Sequence, residues 1–272
     1  MADKRITPAR ADLAAAHLKG AVDAPRYAEG SPRSVWVGRT SLRTRPSDEA
    51  PQDSELLYGE SFTVYDFAKG WAWGQAANDS YVGYVDEKAL TVPFKTEGRI
   101  AAQVAPTFLG PDLKRAVQDL LPLNSAVRVL GRDGDYVEIE SGLYVHHRHL
   151  EPATENDFVA VAQRFVGVPY VWGGKTYAGL DCSGLIQTAL AATGMQAPRD
   201  TDMMAKALGQ PIATADRRGD LVFWKGHMGV MVDGEMLLHA NAFHMATVIE
   251  PLAQAVARIA GVAGPVTGVR RL

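Results

Sequence analysis

The sequence predicts a multidomain protein in which two small all-β barrels precede an α+β domain. Between residues 35 and 150, short runs rich in Val, Tyr, Phe and Trp are broken every ~8 to 12 residues by Gly, Asp, Asn or Pro, which is typical of small antiparallel strands. This stretch contains two segments that resemble each other. From Pro152 onward the helical patterns come first and the strand patterns follow, which is the order of an α+β domain.

The two similar segments run from Gly59 to Leu90 and from Asn124 to Leu150. Each begins with a strand that ends in a Val-rich segment and continues through a glycine turn, an aromatic strand, a second turn and a closing Tyr-Val strand. Two tandem copies of one small barrel explain this pattern. The predicted domains are an N-terminal arm with a modest helical pattern at 11–18 (1–32), a first barrel (33–93), a second barrel (94–152) and the α+β domain (153–272).

The composition is that of an ordinary soluble protein with ample material for a core. The 272 residues are 47% hydrophobic and 22% charged, and the net charge is −3. This charge suggests neither nucleic acid nor an anionic membrane as a partner. The first twenty residues contain no apolar run of a secretory signal, and no later segment reaches the ~18 apolar residues of a membrane span. We therefore expect a cytoplasmic protein.

Helix and strand signals in the α+β domain place its elements. Thr154 and Asp157 form a capping box before a first helix that Gly167 and Pro169 end. A second helix follows Asp181 and stops at Gly194. The remaining predicted elements are a short helix at 203–208 and strands at 221–224, 227–232 and 236–240.

One turn of the second barrel resembles a metal site. It contains His146, His147 and His149. In the first copy of the repeat the same positions are Asp86, Glu87 and Ala89, at a solvent-facing turn. No Cys or carboxylate partner lies at metal-ligand spacing, so we expect no metal there.

The single cysteine, Cys182, excludes an intramolecular disulfide and is a candidate nucleophile. It lies directly before the second predicted helix, within Asp181-Cys182-Ser183-Gly184. The positive end of the helix dipole and the unpaired amides of the first turn favour a thiolate there. The Cys182 amide is also available to donate to an oxyanion.

A thiol nucleophile needs a base, and the base needs an orienting group. His227 opens one predicted strand, and His239 lies on the next. A plain two-residue turn between them would put the two imidazoles on opposite faces of the sheet. An odd-length loop, or a bulge with Gly234 at positive φ, shifts the pairing by one and sets His227 across from His239. We predict the bulged register, with Asn241 as the alternative orienting group.

Four motifs carry a family resemblance. They are Val-Gly-Val-Pro-Tyr-Val-Trp-Gly-Gly (166–174), Asp-Cys-Ser-Gly-Leu (181–185), Arg-Gly-Asp-Leu-Val-Phe-Trp (218–224) and His-Met-Gly-Val-Met (227–231). From about residue 154 to 272, the chain resembles the NlpC-type cell-wall peptidases, which share a papain-like core and cut stem peptides next to γ-linked D-glutamate. The resemblance implies Cys182 as nucleophile, His227 as base and His239 as third polar residue. It also implies that the Tyr170 hydroxyl assists at the oxyanion or thiol.

The two barrels resemble bacterial SH3-type domains. This combination is similar to a subgroup of γ-D-glutamyl-L-diamino acid endopeptidases, also called dipeptidyl-peptidase VI, in which the first barrel closes one end of the cleft. Only a substrate with a free amino terminus then fits. The resemblance implies a substrate-binding set comprising Asp181, Ser183, Arg199, Asp200, Thr201, Trp172 and, from the first barrel, Glu60 and Tyr81. A carboxylate suits an ammonium and an arginine suits a carboxylate. Thr201 stands where the subgroup usually has Ser.

The expected function is hydrolysis of the bond between γ-D-glutamate and a diamino acid, meso-diaminopimelate or Lys, in free murein tripeptides or tetrapeptides with an N-terminal L-Ala. Such an enzyme would serve cell-wall recycling and would require no metal or organic cofactor. Two alternatives stay open. One is an endopeptidase that acts on intact peptidoglycan outside the membrane, and the other is a non-catalytic module that binds wall peptides.

Overall fold

The chain folds as two units, and the computed structural model describes residues 3–150 and 155–272. The N-terminal unit ends at residue 153 and the C-terminal unit begins at residue 154. No helix in the two described ranges has both the length and the apolar character needed to cross a membrane.

The arm forms a small sheet instead of the predicted helix. Its strands are β1 (Ala9–Arg10), β2 (Leu13–Ala15) and β3 (Tyr27–Ala28). The helical prediction for residues 11–18 is wrong except at Ala16–Leu18, which form a short 3-10 turn. Leu13–Ala15 are fully buried and pair with strands on both sides, so tertiary pairing overrides the local helical pattern.

The remainder of the N-terminal unit contains two larger sheets. The first has the strand order β10-β4-β7-β8-β9-β5-β6. Its strands are β4 (Ser31–Val35), β5 (Arg39–Arg43), β6 (Gln52–Leu57), β7 (Ser61–Ala68), β8 (Trp71–Ala76), β9 (Val82–Asp86) and β10 (Leu90–Thr91). Val35, Leu42, Phe62 and Val85 lie in its core and are completely buried.

The second of these sheets has the order β13-β12-β17-β16-β15, with a separate pair β11-β14. Its strands are β11 (Gly98–Arg99), β12 (Val104–Phe108), β13 (Val117–Pro122), β14 (Ala126–Val127), β15 (Val129–Asp133), β16 (Tyr136–Ile139) and β17 (Tyr144–His146). Ile100, Leu121, Val127 and Val145 are buried together in its core. Within residues 3–150, neither strand order closes on itself.

The sequence repeat corresponds to a repeated structure. In the first copy the meander β7-β8-β9 leads into a 3-10 turn at Glu87–Ala89, and in the second the meander β15-β16-β17 leads into a 3-10 turn at His147–His149. The three histidines therefore occupy the position of an equivalent acidic turn, as the alignment of the two copies predicts.

The C-terminal unit packs helices on one antiparallel sheet of order β20-β25-β21-β22-β23-β24. Its helices are α1 (Phe158–Gln163), α2 (Cys182–Ala192), α3 (Thr201–Ala207) and α4 (Leu252–Ala263). Its strands are β18 (Lys175–Thr176), β19 (Gly179–Leu180), β20 (Gln210–Ile212), β21 (Leu221–Trp224), β22 (His227–Met231), β23 (Met236–Asn241), β24 (Ala246–Pro251) and β25 (Gly268–Arg271).

Helix α1 begins later than the predicted capping box implies. Asp157 is itself the N-cap, and its carboxylate accepts hydrogen bonds from the amides of Val159 (2.9 Å) and Ala160 (3.1 Å). The other member of the predicted box, Thr154, lies outside the described residues. The helix also ends earlier than predicted, at Gln163.

Helix α2 is the central element of this unit and contacts α1, β22 and β23. Its side chains are buried along nearly its whole length, including Leu185, Ile186 and Leu190 at 0% exposure. Helix α4 is amphipathic and buries Ala255 against Trp224 and Leu237 of the sheet. Burial of α2 on all sides fixes the position of its first residue, Cys182.

A matched pair of valine substitutions tests this core. Val161 in α1 is 0% exposed, whereas Val262 in α4 is 90% exposed. We expect Val161→Ala to lower the free energy of unfolding by about 1 to 3 kcal/mol, because two buried methyl groups are lost and a cavity is left. Val262→Ala should change it by less than ~0.5 kcal/mol. Urea denaturation followed by circular dichroism measures both, and equal effects would contradict the described packing.

Candidate active site

Cys182 is the first residue of α2, and the N-cap Asp181 holds the turn around it. One oxygen of Asp181 accepts from the Gly184 amide (2.7 Å), and the other accepts from the Gly173 amide (2.9 Å). A Cβ at Gly184 would lie 2.0 Å from the Gly174 carbonyl oxygen, so only glycine allows this close approach. The loop of Gly173 and Gly174 is therefore fixed against the start of the helix.

A buried arginine completes the support of this turn. Arg199 is 1% exposed and pairs with both oxygens of Asp181, at 3.0 Å and 2.6 Å. It also donates to the Ser183 hydroxyl (2.9 Å). The guanidinium that the resemblance assigns to a substrate carboxylate is thus paired inside the protein. Its contact with Asp181 is observed, and direct contact of Arg199, Asp181 or Ser183 with substrate stays a prediction.

Cys182 has a neutral thiol in this environment. Burial raises its pKa to about 11, and the negative charge of Asp181 acts in the same direction. Thr201 at the start of α3 lies 3.7 Å from the sulfur, and a hydrogen bond from the Met228 backbone opposes the rise. In the resting site, burial and the charge of Asp181 therefore favour the neutral thiol over the thiolate expected from the helix start.

The hairpin β22-β23 contains a three-residue loop. Val230 pairs with Leu238 and Met231 with Leu237, and the Val232 amide donates to the Met236 carbonyl. Of the two routes to the shifted register, the odd-length loop is the observed one. The predicted positive φ at Gly234 is wrong, because Gly234 is not among the residues with positive φ. The Asp233 carboxylate instead closes the loop by accepting from the amides of Glu235 and Met236, both at 2.8 Å.

This register puts both imidazoles on one face of the sheet. Continued along the strands, it sets His239 level with Gly229, so the prediction of His227 directly across from His239 is wrong by two residues. The two rings meet diagonally, and His227 Nε2 lies 2.8 Å from His239 Nδ1. A Cβ at Gly229 would lie 3.0 Å from the His239 Cβ, so this glycine leaves room for the His239 side chain.

His239 has two further polar neighbours. Its Nε2 lies 2.6 Å from Glu250 Oε1 and 3.1 Å from Asn241 Nδ2. Asn241, the alternative orienting group, thus contacts His239, and its Oδ1 accepts from the His244 amide at 2.9 Å. Burial, followed by the electrostatic effects of His239 and Arg258, lowers the pKa of His227 to about 3, so His227 rests as a neutral imidazole.

Sequence reasoning missed Glu250 and its partner Arg258. Arg258 Nη1 donates to Glu250 Oε2 at 2.7 Å. Glu250 lies in β24, where His239 pairs with Val248, so the two-residue alternation of a strand puts Glu250 on the face of His239. A carboxylate within the apolar stretch Ala-Thr-Val-Ile-Glu-Pro was the available signal, but the sequence prediction did not include this strand.

Tyr170 and Trp172 lie in the loop between α1 and β18. Burial raises the pKa of Tyr170, and the thiolate form of Cys182 and the charge of Asp181 act in the same direction, so its hydroxyl stays a proton donor. The Tyr170 amide donates to the Met245 carbonyl (3.0 Å), which ties this loop to the β23-β24 hairpin. Trp172 is 65% exposed.

Asp200 is the N-cap residue of α3, directly before Thr201.

Glu60 and Tyr81 belong to the N-terminal unit. Glu60 is 8% exposed, and its Oε2 accepts from the Leu57 amide at 3.1 Å. Tyr81 is 4% exposed and packs in the core of the first sheet. Both side chains are buried, and their assignment to substrate binding stays a prediction.

Among residues 3–150 and 155–272, one group of side chains has the spacing of metal ligands. His239, His244 and Glu250 each offer a ligand atom, and these atoms lie within 4.8 Å of one another. However, Glu250 forms an ion pair with Arg258, whose permanent positive charge opposes a cation at the same carboxylate. These contacts favour hydrogen bonding over metal binding.

Comparison with known proteins agrees with this geometry. Residues 167–258 match the NlpC/P60 family. The C-terminal unit contains an NlpC/P60 domain. Residues 42–90 match the bacterial dipeptidyl-peptidase SH3 domain, so the predicted NlpC-type family and an SH3-like domain before it are both confirmed.

Relatives of the NlpC/P60 domain carry peptidase names. The γ-D-glutamyl-L-lysine dipeptidyl-peptidase of Bacillus subtilis (strain 168) is 36% identical over 99 residues, which cover 33% of this chain and 33% of the relative. Dipeptidyl-peptidase 6 of Lysinibacillus sphaericus is 35% identical and is matched over 35% of each chain. These two alignments thus span about a third of the relatives' length. A γ-D-glutamyl-L-lysine dipeptidyl-peptidase of Bacillus cereus (strain ATCC 10987 / NRS 248) is 23% identical over 87% of this chain and 89% of its own.

A solved structure shares the fold. An NlpC/P60 family protein from Bacillus cereus ATCC 10987 superimposes with a TM-score of 0.74 at 19% identity, over 89% of this chain and 99% of the other. The papain-like fold predicted for the C-terminal region follows from its NlpC/P60 membership and this similarity.

The Asp181–Arg199 pair can be tested against an exposed pair. We expect Arg199→Met to lower the free energy of unfolding by about 3 to 5 kcal/mol, because the Asp181 carboxylate would be left buried without its cation. Arg218→Met removes the exposed pair with Asp157 (2.8 Å) and should cost at most ~1 kcal/mol. Chemical denaturation measures both variants, and a small effect at Arg199 would show that the pair does not hold the turn.

Proposed function

We propose that this protein is a cysteine peptidase that hydrolyses the bond between γ-D-glutamate and a diamino acid in murein peptides. One observation carries the assignment to a cysteine peptidase. The hydrogen bond between His227 and His239 lies on the strand pair whose Met228 backbone contacts the Cys182 thiol. A nucleophile at a helix start, a histidine base and an orienting group on neighbouring strands form the required set.

Acylation begins with a proton transfer within the site. His227 Nε2 is engaged with His239, so Nδ1 is the nitrogen that accepts the proton of the Cys182 thiol. Burial of both groups makes the ion pair costly in the resting site, and substrate binding is the step that shifts this balance. The sulfur attacks the γ-carbonyl carbon of D-glutamate, while the Cys182 amide and the Tyr170 hydroxyl donate to the oxyanion.

Collapse of the tetrahedral intermediate breaks the amide bond. The protonated His227 gives its proton to the leaving nitrogen of the diamino acid, which departs as a neutral amine. His227 then takes a proton from water, whose oxygen attacks the thioester and releases the γ-D-glutamyl product. The thiol and the neutral imidazole are restored.

The names of the relatives support the substrate class. Two of them are γ-D-glutamyl-L-lysine dipeptidyl-peptidases, and the model matched by residues 42–90 is that of a dipeptidyl-peptidase SH3 domain. We extend this to free murein tripeptides and tetrapeptides with an N-terminal L-Ala, and to recycling in the cytoplasm. We further propose that the second sheet is a second SH3-like barrel, because it repeats the meander and turn of the first.

A second candidate is an endopeptidase that acts on intact peptidoglycan. Relatives named probable endopeptidases, including one from Mycobacterium tuberculosis (strain ATCC 25618 / H37Rv), are 33% identical over 98 residues. The substrate of such an enzyme has no free alanine amine, so the two candidates differ in what they accept at the amino terminus.

Defined peptides separate the candidates. The protein should cleave L-Ala-γ-D-Glu-diaminopimelate or its Lys counterpart, and N-acetylation should lower kcat/KM strongly, because an acetylated nitrogen cannot pair as an ammonium with a carboxylate. Mass spectrometry follows the products. Cys182→Ala should reduce turnover on the order of 10⁴-fold or more while leaving the circular dichroism spectrum unchanged.

Other results of this experiment would support a different function for the protein. Equal cleavage of free and acetylated peptides would reject the free-amine substrate and favour the endopeptidase. Binding of both peptides without cleavage would favour the non-catalytic module. Full activity in Cys182→Ala would reject the cysteine peptidase itself.

A further inference from the structure

The carboxylate of Glu250 lies at the far end of the catalytic hydrogen bonds. Its Oε1 is 2.6 Å from His239 Nε2, and its Oε2 accepts from Arg258 Nη1 at 2.7 Å. Arg258 Nη2 also contacts Oε1, so the arginine grips both oxygens. His239 is completely buried and Glu250 is 9% exposed. The ion pair of Glu250 and Arg258 therefore connects helix α4 to the two histidines.

The ionised carboxylate fixes the proton positions along this chain. Hydrogen bonds from Arg258 and His239 hold the pKa of Glu250 below its usual value against the effect of burial. An ionised carboxylate can only accept, so His239 Nε2 carries the proton of the 2.6 Å contact, and the Asn241 amide nitrogen at 3.1 Å is then a neighbour of this N–H and not its hydrogen-bond partner. His239 Nδ1 must then accept from His227 Nε2. This leaves the lone pair of His227 on Nδ1, the nitrogen that the proposed reaction uses as base.

The two charges act on His227 in opposite directions. Glu250 favours the protonated imidazole, and Arg258 disfavours it. Two other ionisable groups act on the histidines: His244 in the β23-β24 turn acts on His239, and His239 acts on His227. Among all of these charged and ionisable groups, Glu250 alone combines a negative charge with a direct hydrogen bond to His239.

We propose that Glu250 is a positioning residue of the active site, which sets the tautomer of both histidines and stabilises the imidazolium of His227, with Arg258 holding its carboxylate in place. This inference rests on the proposed peptidase function of the same site. Glu250 acts through His239 and touches no reacting atom, so its removal should alter the basicity of His227 rather than the binding of substrate.

Alkylation of the single cysteine tests the proposal without any peptide. Because Cys182 is the only cysteine of the chain, iodoacetamide incorporation against pH reports its thiolate alone. Glu250→Gln should move the half-maximal pH of alkylation upward by roughly one unit, because the imidazolium loses its anion. Arg258→Gln should move it downward, because the opposing cation is lost. A structural defect would shift both variants in one direction.

Turnover provides the second measurement. With L-Ala-γ-D-Glu-Lys as substrate, Glu250→Gln should lower kcat roughly 10- to 100-fold with little change in KM, since a hydrogen bond to a charged group is lost. Glu250→Asp should recover part of kcat. Asp220→Asn is the matched control, because Asp220 is likewise a buried carboxylate bound by an arginine, Arg271 at 2.7 Å, and directly precedes β21 of the same sheet. It should leave both the alkylation profile and kcat close to wild type.

The outcomes separate this inference from the proposed function. Alkylation profiles that shift in opposite directions, in a protein that cleaves no peptide, would uphold the role of Glu250 and reject the peptidase. Cleavage with an unchanged profile in Glu250→Gln would reject the role of Glu250 alone. Equal losses in Glu250→Gln and Asp220→Asn would also reject it, because a general loss of stability would then explain both.

Discussion

The buried carboxylate of Asp181 joins three segments that are distant in the sequence. It binds the glycine loop before β18, the first turn of α2 and the arginine that precedes α3. Cys182 and Thr201 are neighbours of these groups in the chain, and their side chains meet as a result. A charge of this kind is stable inside a protein only when its partners surround it. Cys182 is therefore positioned by polar contacts as well as by packing.

The two candidate reactive groups, the Cys182 thiol and the His227 imidazole, are both neutral in the resting site. Burial disfavours both the thiolate of Cys182 and the imidazolium of His227. Two ion pairs provide permanent charges near these groups. They are Asp181 with Arg199 and Glu250 with Arg258. Cys182 directly follows a residue of one compensated ion pair, and His227 is linked to the other pair through His239. In the proposed reaction, transfer of the proton from the Cys182 sulfur to the His227 nitrogen creates a third pair of opposite charges.

Local patterns in the sequence were sufficient for the chain positions of the main site residues. Cys182 before a helix and two histidines on adjacent strands could be identified from residue spacing, and the four motifs supplied the family. The loop at residues 233–235 shows the limit of this approach, because hairpin register depends on how one side chain, Asp233, closes the turn. Glu250 and Arg258 required knowledge of β24 and α4, which follow the last predicted strand. In the arm, a weak helical pattern predicted a helix, but residues 13–15 of that segment form a paired strand instead.

Helix α2 has almost no face towards solvent, and Cys182 is its first residue. Most helix ends fray because their first turn is held by few contacts, yet this end lies under the Gly173–Gly174 loop and is capped by a paired carboxylate. Local opening of the nucleophile's turn would therefore disrupt the same core that holds the whole domain together. Loss of the reactive site and global unfolding of the domain become one cooperative event, so the intact fold itself protects the thiol from damage.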